Sequence, residues 1–118
     1  MEPLGVHHVS INVRDADEST TFYTDVLGLT RRSDRPDFTF RGAWLDLGDQ
    51  QVHLIEGEVP DNCGQHFAIQ VADLDATVAE LRNRGIDVPD PKGVGAARQT
   101  FLVAPSGNVV ELHEPASA

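Results

Sequence analysis

Cysteine is nearly missing from this 118-residue chain: Cys63 stands alone, which excludes an internal disulfide and fits a reducing compartment. Positive charge is scarce as well. Nine Lys and Arg face nineteen Asp and Glu, a formal net charge of -10, and no basic run interrupts the excess. A field of that sign repels nucleic acid and anionic membrane surfaces. No apolar run approaches the roughly 18 residues of a membrane-crossing helix, and no basic-then-apolar leader opens the chain, so the expected location is cytoplasmic. Low-complexity tracts are lacking. Gly93-Val94-Gly95 is too short, and has no helix behind it, to act as a dinucleotide-binding turn, and Ser106 has no His and Asp at the spacing of a serine hydrolase. One compact domain spanning 1–118 is the expectation, burying about two thirds of the surface its unfolded form exposes.

What the chain does contain is a copy of itself. Sliding His8-Val9-Ser10-Ile11-Asn12-Val13-Arg14-Asp15-Ala16-Asp17 forward by 58 positions lays it over His66-Phe67-Ala68-Ile69-Gln70-Val71-Ala72-Asp73-Leu74-Asp75. His8, Ile11, Val13, Asp15 and Asp17 each meet an identical residue. The same shift carries Val52-His53-Leu54-Ile55-Glu56 onto Val110-Glu111-Leu112-His113-Glu114, so His53 corresponds to Glu111. A constant offset over half the chain is an internal duplication, and it sets the fold before local propensities are read.

Each copy reads as βαβββ. Val6 to Val13 alternates as a strand; Asp15 caps a helix, with Glu18 at the capping-box position, and Gly28 stops it. Phe22, Tyr23, Val26 and Leu27 form a stripe that covers the Val9/Ile11/Val13 face and leaves the His8 face bare. Strands follow at 29–33, 38–47 and 51–56. In the second copy His66 to Val71 is a strand, Asp73 caps, Leu74, Val78 and Leu81 make the stripe, and Gly85 stops the helix. Strands at 86–88, 98–103 and 108–113 complete it, with the Pro/Gly-rich stretch 89–97 as a loop able to fold over a pocket mouth. The expected fold class is α+β: module one at 4–57 and module two at 64–115, building a curved, half-barrel, eight-stranded mixed sheet with helices on its outer face.

By parity His8, His53, His66 and Glu111 lie opposite the helix-covered faces, and a pseudo-twofold axis brings all four toward one point. Three imidazoles and a carboxylate suit a divalent ion such as Fe, Ni, Zn, Mn or Co; the donor types do not choose among these. His7 falls on the helix side. His113 shares the face of Glu111, as a pocket group or a solvated edge. Arg41 and Arg98 are cations that could pair with an anionic ligand, and Trp44 and Phe101 are either pocket wall or core.

The motifs His8-Val-Ser-Ile-Asn-Val with Asp15, Phe22-Tyr23, Leu27-Gly28-Leu29, Val52-His53-Leu54, His66-Phe-Ala-Ile-Gln-Val-Ala-Asp73 and Phe101-Leu-Val-Ala-Pro105-Ser-Gly107-Asn108-Val-Val-Glu111-Leu resemble the vicinal oxygen chelate superfamily, which includes glyoxalase I, bleomycin resistance proteins and extradiol dioxygenases. The resemblance implies metal ligands at His8, His53, His66 and Glu111, proton transfer by Glu111 or His53, a small-molecule substrate and a homodimer. His53 departs from the bacterial glyoxalase I pattern, which has a carboxylate there. Two functions follow: a metal-dependent lyase, isomerase or dioxygenase, or a small-molecule binding protein of the drug-sequestering kind.

Overall fold

A computed structural model of the chain describes residues 1–117. Its strands are β1 (His8–Val13), β2 (Thr30–Arg31), β3 (Gly42–Leu47), β4 (Gln50–Glu56), β5 (Phe67–Gln70), β6 (Lys92–Val94), β7 (Ala97–Val103) and β8 (Val109–Glu114). Helix α1 (Ala16–Thr21) and helix α2 (Leu74–Asn83) follow the first strand of each copy. The eight strands are shared between two four-stranded mixed sheets, ordered β1-β4-β3-β2 and β5-β8-β7-β6. Two compact units carry them, one from Met1 to Asp61 and one from Asn62 onward.

The duplication reaches down to hydrogen bonds. β1 runs parallel to β4 with Val9 opposite Val52, and β5 runs parallel to β8 with Phe67 opposite Val110, the same pairing 58 residues on. Asp15 accepts the Glu18 amide at 3.0 Å and Asp73 the Ala76 amide at 3.0 Å, so both predicted caps are made. The Glu56 carboxylate takes the Ala16 amide at 2.9 Å and Glu114 takes the Leu74 amide at 2.7 Å, fixing each helix start to the last strand of its own unit. One core per unit results. Val13, Tyr23, Leu45, Val52 and Leu54 fill the first; Leu74, Leu81, Leu102, Val110 and Leu112 fill the second.

Four local readings change. The first helix gives way at Phe22–Val26 to a π-helical turn. Thr20 and Thr24 bond back to the carbonyls of Ala16 and Thr20, at 2.6 and 2.8 Å, and the wider turn lets adjacent Phe22 and Tyr23 both be buried. The strand expected from Phe38 starts only at Gly42, because Arg35 donates to the Phe40 carbonyl at 3.0 Å and removes it from any ladder. No strand forms at 86–88: the Arg82 guanidinium takes the Val88 carbonyl at 2.7 and 3.1 Å, and Pro89 has no amide to give. Finally, the expected loop 89–97 contains β6, which turns at Gly95, at φ 57°, to pair with β7 from Lys92 opposite Gln99 to Val94 opposite Ala97.

Candidate functional site

In the second unit the parallel β5–β8 pairing sets His66, just before β5, beside Glu111 on β8. His66 Nε2 lies 3.0 Å from Glu111 Oε1, and the Glu111 side chain is 11 % exposed. The other ring nitrogen, Nδ1, is 2.9 Å from the Gly64 carbonyl. A carbonyl can only accept, so Nδ1 carries a proton and it is Nε2 that faces the carboxylate. His113 Nδ1, two residues along β8, holds the second carboxylate oxygen at 2.9 Å. The Gly64 bond, and then the Glu111 bond, push the His66 imidazolium above its ordinary pKa against a smaller opposing effect of burial.

These features fit a metal-binding pair. Two donors about 2.1 Å from one ion and at right angles about it are themselves about 3.0 Å apart. A ligating imidazole ordinarily donates its far N–H to a carbonyl, and a ligating carboxylate is ordinarily hydrogen-bonded on its free oxygen, as Gly64 and His113 arrange here. Phe101, opposite Glu111 across the strands, closes edge-on against the His66 ring with centroids 5.5 Å apart. A cavity of 270 Å³ opens beside the pair, lined by Asn62, Gly64, Gln65, His66, Phe101 and Val109.

In the first unit the corresponding residues are also neighbours, in a different geometry. His8 and His53 stack with centroids 4.0 Å apart and planes 15° apart, and Trp44 stacks on the far side of His53 at 4.4 Å and 9°. Ring-nitrogen lone pairs lie in the ring planes, so in two nearly parallel rings they run side by side instead of converging. Ligation of one ion by both therefore requires one ring to turn. His53 Nε2 is 2.8 Å from Gln51 Oε1, and His8 Nδ1 is 2.9 Å from His7 Nδ1. Burial, and then the positive charges of His8, His7, Arg32 and Arg35, keep the His53 pKa below the ordinary imidazole value. Among the described residues no three or more His, Cys, Asp or Glu side chains meet as a ready metal cluster.

The arginines expected near a ligand are committed elsewhere. Arg41 binds Asp17 at 2.6 Å and Arg98 binds Asp75 at 2.9 and 3.1 Å, tying the first turn of α1 to the residue before β3 and the first turn of α2 to β7. Sequence reading also missed Gly64, whose contribution is a carbonyl that carries no side-chain signal, and Gln51, whose role depends on the rotamer of His53. Trp44 and Phe101, the two aromatics named as pocket wall or core, occupy matching places: β3 and β7 correspond at an offset of 57, one less than β1 with β5 and β4 with β8, which matches Trp44 opposite His53 with Phe101 opposite Glu111.

The family model of the Glyoxalase/Bleomycin resistance protein/Dioxygenase superfamily matches residues 5–112. The chain belongs to this superfamily. Within it, a probable lactoylglutathione lyase from Synechocystis sp. is 30 % identical over 93 % of this chain and 95 % of its own length. TnmS3, an antibiotic binding protein from Streptomyces sp. CB03234, is 25 % identical with a TM-score of 0.81, covering 98 % of this chain and 99 % of that one. The fold is also that of a fosfomycin resistance protein from Listeria monocytogenes solved with Mn(II), at 16 % identity and a TM-score of 0.80, covering 96 % of this chain and 93 % of that one. A protein of this fold has thus been solved with a divalent metal bound. No helix among the described residues is long and apolar enough to cross a membrane.

Proposed function

We propose that this chain is a metal-dependent enzyme of the vicinal oxygen chelate type, a lyase, isomerase or dioxygenase acting on a small oxygen-rich substrate. The observation that supports it is the His66–Glu111 pair at 3.0 Å, buttressed on one side by Gly64 and on the other by His113. His66 and Glu111 would hold the divalent ion, Fe, Ni, Zn, Mn or Co, with His8 and His53 as the further donors carried over from the family pattern. These come from the same chain or from a second copy in a homodimer. Bound there, the ion would polarise a substrate oxygen and make a neighbouring proton easier to remove.

The remaining work belongs to the chain. Glu111 is a carboxylate whose second oxygen His113 holds in place, so its first oxygen can take a proton from a fixed direction. Where His53 faces substrate instead of the ion, its buried ring, with its pKa lowered, is neutral near pH 7 and can accept a proton at Nδ1 while Gln51 holds Nε2. Phe101 packs edge-on against the His66 ring, which stays about one-third exposed and open to a substrate. We propose a cytoplasmic location, in keeping with a single exposed thiol at Cys63.

Metal analysis after reconstitution tests the proposal. Native protein is expected to retain about one equivalent of a divalent ion per chain, and His66→Ala and Glu111→Ala to lose affinity by tenfold or more. His8→Ala tests the carried-over donor set in the same assay. Native protein that binds none of the five metals overturns the reading. The second reading, sequestration of a small molecule without turnover, is favoured by the stacking of His8 on His53. It predicts tight ligand binding that chelators leave unchanged.

A further inference from the structure

The connection between β2 and β3 holds a structure that the metal chemistry does not use. Phe38 and Phe40 stack on each other, centroids 4.9 Å apart and planes 11° apart, and both rings are about two-fifths exposed. The Arg35 guanidinium lies 4.9 Å from the first ring centroid and 5.4 Å from the second. It is held there by the Phe40 carbonyl at 3.0 Å, and it packs over Gly42, where an added Cβ would sit 3.1 Å from its Nη2.

Arg35 has no carboxylate at ion-pair distance among the described residues, although the chain carries a net charge of -10 and nearby Arg32 is bound to both Asp34 and Asp46. A cation fixed by aromatic faces and a backbone carbonyl, in so acidic a protein, is left with its charge unspent. Phe38 also faces Trp44, with centroids 6.3 Å apart and planes inclined at 52°. The two rings make a wedge at the end of the His8–His53–Trp44 stack. An aromatic slab in van der Waals contact on both faces needs roughly 7 Å between parallel neighbours, so the wedge admits one when the Phe38 ring turns toward parallel with Trp44 and moves outward.

We propose that the first unit binds a planar aromatic carboxylate, its ring lodged between Trp44 and Phe38 and its anionic group paired with Arg35. The inference goes beyond the metal reading and does not depend on it. Both of its contacts lie within one unit, and none of Arg35, Phe38 or Trp44 is a proposed ligand. The uncompensated guanidinium selects the charge, and the wedge selects flatness over bulk.

Trp44 is the sole tryptophan, so its fluorescence reports this site directly, and the EDTA arm separates quenching by the probe from any effect of an ion at the neighbouring His53. The purified full chain, with and without EDTA, is titrated with 2-naphthoate, 2-naphthamide and cyclohexanecarboxylate, followed by calorimetry and by Trp44 quenching. The expected result is saturable quenching by 2-naphthoate, roughly fivefold or more weaker binding of the amide, and no measurable binding of the saturated acid. Arg35→Gln is expected to bring acid and amide to equal affinity, and Phe38→Ala to weaken both aromatic probes. Circular dichroism checks that the variants fold, and the acid-over-amide preference of native protein, with its decline in added salt, tests the charge without any variant. Absence of saturable quenching, equal binding of the saturated acid, or an acid-to-amide ratio unchanged in Arg35→Gln overturns the proposal. Loss of metal in the His66 and Glu111 variants with naphthoate binding intact would leave it standing, since the two sites share no residue.

Discussion

Glu111 is gripped at both oxygens, by His66 on one and His113 on the other, and the Gly64 carbonyl together with that carboxylate favours the protonated form of His66. Folding raises the His66 pKa above the ordinary value of about 6.5, so the stability this ring contributes is complete below that value and is lost as pH climbs through the folded pKa. His53 runs the other way. Its folded pKa is depressed, so its contribution is complete above about 6.5 and fades as pH falls toward the folded value. Proton NMR of the metal-free protein is therefore expected to resolve two imidazoles titrating on opposite sides of 6.5. Glu111→Gln should lower the His66 value only in part, because the Gly64 carbonyl is the larger cause. A His66 that titrates at or below the ordinary value would contradict the hydrogen-bond assignment. Reading the sequence found the His66 and Glu111 positions from the repeat alone, since identical offsets mean equivalent strand positions. It could not find the Gly64 carbonyl or the tautomer, which depend on a loop's path.

Strands and helices here are held by contacts that recur 58 residues on, and these make the elements testable one against the other. Asp15→Ala and Asp73→Ala each remove a cap and should each cost about 1 kcal/mol in urea unfolding, with similar values because the two caps have the same geometry. Gly42 in β3 is different: a methyl there collides with the Leu54 carbonyl oxygen of β4, which is backbone and cannot swing away. Gly42→Ala is expected to destabilise by about 1–3 kcal/mol, measured as a lowered urea midpoint, and to loosen Arg35 as well. A neutral result would mean that β3 and β4 separate easily. The misread elements share a cause. At 38–41 and 86–88 the apolar pattern of a strand is present, but arginine side chains from elsewhere capture the carbonyls that a ladder needs, and nothing in the local pattern announces such capture.

At the scale of the whole molecule, an ion that binds only the folded chain must stabilise it. At a hundredfold excess over Kd the gain is about 2.7 kcal/mol, a rise in Tm on the order of 10 °C for a chain of this size. Thermal scans with added Mn, Ni, Zn, Fe or Co should show that rise in native protein and lose it in Glu111→Ala; no rise with any of them would count against the proposed function. Light scattering is expected to report a homodimer. The sequence by itself determined the duplicated βαβββ order and both helix caps. These follow from residue periodicity and from an offset that a chain preserves whatever its surroundings. Tertiary structure alone decided that His66 and Glu111 meet as a hydrogen-bonded pair while His8 and His53 meet as a stack, and that Arg41 and Arg98 serve the helices while Arg35 stays uncompensated. Such outcomes turn on rotamers and on which charges arrive within a few ångströms, and those are set by packing between segments far apart in the chain.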